Sequence, residues 1–229
     1  MTPSDPSSKT PFKTADRSNL SFLAAFEKRT LIWIAERLPA WVHSDHLTAL
    51  GFISLAVAGL LYWSARTNRA ALAIAVVFLA LNWFGDSLDG TLARVRNRQR
   101  PRYGFYVDHV LDALGTFLLM SGLAFSGYMM PAVAYAFLIV YLLLSIEVYL
   151  ATYTMGTFHL SFWSFGPTEL RLLLAVGSLV AIWQPYAIFG SRSFLLFDVG
   201  FAIGTLGMTG VLAQAVIRHT TALYKLETK

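Results

Sequence analysis

Asp86, Asp89, Asp108 and Asp112 lie close together in a chain that otherwise reads as lipid-soluble, and Arg94, Arg96, Arg98, Arg100 and Arg102 fall between the two pairs. One charged side chain in mid-membrane costs about 3 kcal/mol on insertion scales. Four carboxylates in so short a stretch also repel one another, so arginines, protons or metal ions must hold them together. Helix geometry favours metal. Asp86 and Asp89 are three apart and share a face, with Gly90 and Ala93 on the same stripe. Asp108 and Asp112 are four apart, and Gly104 and Gly115 extend their stripe. Small residues on both stripes let two helices approach closely and leave room for a ligand. Oxygen ligands, with neither cysteine nor a paired-histidine helical motif in the chain, select Mg2+, Mn2+ or Ca2+. Four carboxylates can hold two divalent ions about 4 Å apart, the arrangement that clamps both oxygens of an in-line phosphoryl displacement.

Guanidinium groups bind phosphate through paired donors, which suits the same chemistry. Arg94 follows Gly90 by one helical turn and lies on the flank of the aspartate face. The other arginines of the stretch line a loop, where they act mostly as topology determinants against lipid head groups. With no cysteine, the chain can have no disulfide, thiolate nucleophile or cysteine-ligated metal. The formal net charge of +5 marks cytoplasmic loops facing anionic lipid rather than nucleic-acid binding.

The elements that would position these residues are membrane helices, since 56% of the chain is hydrophobic and only 14% charged. The expected fold is all-α and integral to the membrane: six transmembrane helices preceded by an interfacial amphipathic helix. Residues 1–18, rich in Pro and Ser and without an apolar signal-peptide core, are expected to form a disordered cytoplasmic tail. Residues 19–42 should be helical. Leu31, Ile34, Leu38 and Trp41 make one apolar stripe, with Arg29 and Glu36 on the other side. Such a helix lies in the interface plane or packs on protein, and the pattern serves both. Residues 43–229 form the six-span catalytic domain, with spans near 46–65, 70–95, 103–126, 129–155, 168–188 and 193–217. Turns are expected at 127–131 and 190–192, and "GPTE" at 166–169 is a helix-start signature. Basic residues concentrate in the tail, in the 94–102 loop and at the C-terminus. The positive-inside rule therefore puts both termini and the mouth of the aspartate site in the cytoplasm, and the expected location is a bacterial inner membrane.

The pattern Asp86-x-x-Asp89-Gly90-x-x-Ala93-Arg94, followed by Gly104-x-x-x-Asp108-x-x-x-Asp112, resembles the signature of the CDP-alcohol phosphotransferases (CDP-alcohol phosphatidyltransferases). All eight fixed positions match; nine residues rather than eight separate Arg94 from Gly104. The resemblance implies that Asp86, Asp89, Asp108 and Asp112 hold two ions of Mg2+ or Mn2+, with Asp112 also the general base on an acceptor hydroxyl. It further implies that Gly90, Arg94 and Gly104 meet the CDP moiety. Ser44-Asp45-x-x-Thr48 resembles, without its proline, a family segment that helps hold the nucleotide, which brings in Asp45 and Thr48; either Ser44 or Asp45 would also serve as a helix cap. Arg171 and Arg102 would build an acceptor pocket. His109 is the alternative base, as in the choline and ethanolamine branch.

The implied function is transfer of a phosphatidyl group from CDP-diacylglycerol to a small polar alcohol, with release of CMP. The alternatives are a CDP-aminoalcohol phosphotransferase acting on diacylglycerol and, in another class, a cation-coupled transporter. Expected partners are the CDP-linked lipid donor, the alcohol acceptor and membrane lipids; no nucleic acid is expected, and a homodimer stays open. Glu147, deep in the fourth span, has no assigned role.

Overall fold

The computed structural model describes residues 22–155 and 167–228. The expected tail, the first residues of the helix expected from 19, and the side chain of Glu169 lie outside the described residues. Among the described residues seven helices follow in order: α1 (Phe22–Arg37), α2 (Ser44–Ser64), α3 (Ala70–Val95), α4 (Pro101–Ala124), α5 (Pro131–Met155), α6 (Pro167–Trp183) and α7 (Leu196–Glu227). A hairpin of β1 (Tyr186–Phe189) and β2 (Arg192–Leu195) joins the last two.

Among the described residues, α2, α3, α4, α5 and α7 are long and apolar enough to cross a membrane, and Leu170–Trp183 is a shorter apolar helix. The fold is therefore that of an all-α membrane protein, with the short hairpin as its only sheet among the described residues. The expected ends of the fifth and sixth spans need correction. Proline has no N–H to extend a helix and crowds the preceding turn, so Pro185 closes α6 soon after Trp183. The aromatic and β-branched residues beyond it pair antiparallel, Phe189 opposite Arg192, leaving Gly190 and Ser191 as a two-residue turn. Gly190 has φ +62°, the left-handed conformation such a tight turn requires. At 17 residues, α6 is roughly 25 Å long, short of the ~30 Å hydrocarbon core.

The helices pack around α2. It lies against α3 on one side and α4 on the other; α6 and α1 pack on α3, α5 on α4, and α7 on α5. Glycine sets the closest approaches. A Cβ on Gly85 would come within 2.6 Å of the Leu47 carbonyl oxygen and 2.7 Å of the Gly51 nitrogen. A Cβ on Gly122 would land on the Gly59 carbonyl. Such contacts let dispersion forces act between backbones where lipid offers no hydrophobic drive to helix association. The main core, which includes Leu72, Leu79, Leu119, Met120 and Leu123, fills the end away from the arginine loop. Within it the Tyr62 hydroxyl and Ser178 Oγ bond at 2.6 Å, tying α2 to α6.

A second core gathers Leu31, Ala35, Val42, Leu47, Leu88 and Leu92 at the arginine-loop end. The apolar stripe of α1 thus packs on the C-terminal part of α3, with Leu38 alongside. Trp41, expected on that stripe, lies past the helix end and is exposed, as is Trp33. Arg96 holds this arrangement together: its guanidinium donates to the carbonyls of Val42, Leu38 (2.8 Å) and Pro39 (3.0 Å). These carbonyls belong to the segment that leads from α1 into α2, and Arg96 ties that segment to the C-terminal end of α3.

Candidate active site

Three helix ends build the acidic site. The C-terminal half of α3 carries Asp86 and Asp89, the N-terminal half of α4 carries Asp108 and Asp112, and the start of α2 closes one side. One cleft is lined by Thr48, Gly51, Phe52, Leu55, Asn82, Asp86, Asp89, Asp108, Leu111 and Asp112. All four aspartates therefore face one space, as their spacing predicts.

They do not stand there as equals. Asp86, Asp108 and Asp112 each offer a carboxylate oxygen, and these atoms lie within 4.8 Å of one another. Oxygens around an octahedral Mg2+ at about 2.1 Å are roughly 3 Å apart when adjacent and roughly 4 Å when opposite. Small side-chain rotations would close the set on such an ion, and three hard carboxylates are the donor chemistry it needs. Asp89 is not part of that group. Its Oδ2 accepts a 2.7 Å hydrogen bond from Thr48 Oγ1, and Ser44 Oγ donates to its backbone carbonyl at 3.0 Å. Ser44 and Thr48 thereby clamp the first turn of α2 onto α3 beside the acids.

Arg171 reaches the cluster from α6. Its Nη1 donates to Asp86 Oδ2 at 2.8 Å, and both side chains are mostly buried. Arg102, expected beside it, lies exposed on the first turn of α4 and has no hydrogen bond or ion pair among the described residues. Asp45 is exposed and pairs with Arg100 across the arginine loop, and that guanidinium stacks 4.3 Å over Tyr103. Arg94 is exposed in the last turn of α3. It donates to Thr91 Oγ1 at 3.0 Å and covers Gly90, where a Cβ would meet its Nη1 at 3.4 Å. Gly104 faces open space. Gly115 takes the Leu55 side chain.

His109 is held by its neighbours. Its Nδ1 lies 2.7 Å from the Phe105 carbonyl, which can only accept, so that nitrogen carries the proton. The ring lies against Phe105 at 4.1 Å and edge-on to Tyr149 at 4.9 Å. Asp108 Oδ2 is 3.7 Å from Nδ1, beyond a hydrogen bond. Glu147 turns away from this site and bonds His219 Nδ1 at 2.5 Å, linking α5 to α7.

The family model for CDP-alcohol phosphatidyltransferases matches residues 41–212, a stretch that holds the whole acidic cleft. The chain belongs to the CDP-alcohol phosphatidyltransferase family. No individual curated protein matches it. As a CDP-alcohol phosphatidyltransferase it is a membrane transferase, and its family signature lies on the two helix segments that converge here. Asn82 is a polar cleft residue that the signature does not contain. It sits one turn before Asp86 on the same face, and that spacing was its only mark in the sequence.

Proposed function

We propose that this transferase moves the phosphatidyl group of CDP-diacylglycerol to a small, anionic or neutral polar alcohol. The observation that carries the reading is the convergence of Asp86, Asp108 and Asp112 within 4.8 Å, with Asp89 in the same cleft. Two Mg2+ or Mn2+ ions bound there would neutralise the diphosphate and the charge that develops at the reacting phosphorus. Asp86, Asp108 and Asp112 would hold the metal, with Asp89 as the fourth ligand.

Arg94 and the bare backbone at Gly90 and Gly104 would receive the CDP moiety, with Asp45 and Thr48 at its edge. Thr48 would act by fixing the Asp89 carboxylate. Asp112 would take the proton of the acceptor hydroxyl as its oxygen bonds to the lipid-bearing phosphorus and the bond to CMP breaks. Arg171 already holds an anionic oxygen, that of Asp86, and its guanidinium would orient a phosphorylated acceptor at the same place. Arg102 would meet that acceptor from the cytoplasmic mouth. Asp112 stands in the converged acidic group, whereas the His109 ring packs against Phe105 and Tyr149, and this placement favours Asp112 as base. The helix α1, with Lys28, Arg29 and the exposed Trp33 beside its packed stripe, would lie along the cytoplasmic membrane surface.

The test offers purified protein both substrate sets and measures CMP release. We expect product from CDP-diacylglycerol with glycerol phosphate or inositol phosphate, and loss of that product after exhaustive chelation, restored by Mg2+ or Mn2+. Product only from CDP-choline or CDP-ethanolamine with diacylglycerol would reverse the donor and acceptor roles. Undiminished turnover after chelation would remove the metal.

A further inference from the structure

We propose that Asn82 is a positioning residue of the cation site, its Oδ1 accepting a hydrogen bond from water bound to the ion held by Asp86, Asp108 and Asp112. The inference rests on the metal reading above. Asn82 is 3% exposed and lines the same cleft as the four aspartates. Its Nδ2 donates to the Gly51 carbonyl at 2.9 Å. That bond fixes the amide, because the opposite orientation would set two oxygens against each other. The Oδ1 is thereby committed to the other side, where it is fully buried and has no hydrogen-bond partner among the described residues.

A buried acceptor left unsatisfied is destabilising, and native structures rarely keep one without a use. Among the described residues, those that line the cleft offer no spare donor. Phe52, Leu55 and Leu111 are apolar, and the Thr48 hydroxyl is engaged by Asp89. The donor must therefore come with whatever enters the cleft. Asn82 lies one helical turn deeper than Asp86, about 6 Å along the axis, which is too far for its oxygen to complete the carboxylate set without displacement but is the range bridged by a bound water. Mg2+ keeps several of its waters when carboxylates bind it, and these waters are strong hydrogen-bond donors. Outer partners of this kind orient the ligand shell and govern affinity as well as rate.

The experiment measures Mn2+ affinity by electron paramagnetic resonance, without substrates, for the unaltered protein and for Asn82→Asp and Asn82→Leu. Both variants lose the Nδ2 bond to Gly51, but only aspartate keeps acceptor oxygens at this place. We expect Asn82→Asp to bind Mn2+ within threefold of the unaltered protein or more tightly, and Asn82→Leu to bind it about 10- to 100-fold more weakly. Should leucine not insert, Asn82→Ala takes its place. Leucine or alanine within threefold of the unaltered protein would overturn the proposal. Equal weakening of the aspartate and apolar variants would also overturn it, since the tie to Gly51 would then be all that matters. Absence of Mn2+ binding by the unaltered protein would instead overturn the metal reading, and the inference with it.

Discussion

The four aspartates divide into three that converge and one that is clamped, and this division governs what their substitution should do. Replacing Asp86, Asp108 or Asp112 by asparagine removes a charge from the converged set. We expect each to lower kcat by about 100-fold or more while membrane insertion, followed by yield in the membrane fraction, stays intact. Near-native rates in any one of them would take that residue out of the ligand set. Arg94→Lys keeps the charge but loses the planar fork, so donor KM should rise roughly tenfold; an unchanged KM and kcat would assign Arg94 to packing. The aspartates were legible because spacings of three and four on a helix fix a common face by themselves. The pair between Arg171 and Asp86 was not, since the partners are 85 positions apart and meet only through the packing of α6 on α3. The pair between Asp45 and Arg100 was hidden for a related reason: Arg100 comes from a loop whose path no periodicity encodes.

At the scale of the helices, the sequence marked which residues were small but not which faces would meet. The stripe of Gly90, Gly104 and Gly115 suggests close approach of α3 to α4, yet the tightest backbone contacts are made by Gly85 and Gly122 against α2. A period of 3.6 gives a helix its faces and leaves the choice of neighbour to tertiary packing. Gly122→Ala would force a methyl group onto the Gly59 carbonyl and should part α2 from α4, at a cost of about 1–3 kcal/mol or more. We expect a lowered Tm in detergent and weakened Mn2+ binding together, whereas Gly104→Ala, which opens onto free space, should change neither Tm nor yield. A Tm for Gly122→Ala equal to that of the native chain would show that the helices can slide apart without penalty. The hairpin was missed because its apolar residues read as continuations of two spans. Exposed strand edges cannot lie in hydrocarbon, where their free N–H and C=O groups have no partner, so Tyr186, Ile188, Phe189 and Phe194 belong at the lipid–water boundary.

The whole molecule should sit with its arginine loop in the cytoplasm and its hairpin outside. A chain without cysteine lets single introduced cysteines report this against no background. In sealed right-side-out vesicles, a membrane-impermeant thiol reagent should label Ser191→Cys and spare Asn97→Cys; the reverse pattern would invert the topology. The direction of the fold carries a further consequence. Helices α2 to α4, which hold all four aspartates, are contiguous in the sequence, whereas the arginine that pairs with Asp86 arrives with α6. At roughly 5–20 residues per second on the ribosome, the 85 residues from Asp86 to Arg171 take roughly 4–17 s to make. Throughout that interval the nascent chain carries its acids without their guanidinium, and Asp86 must be offset by some other positive charge until α6 is inserted.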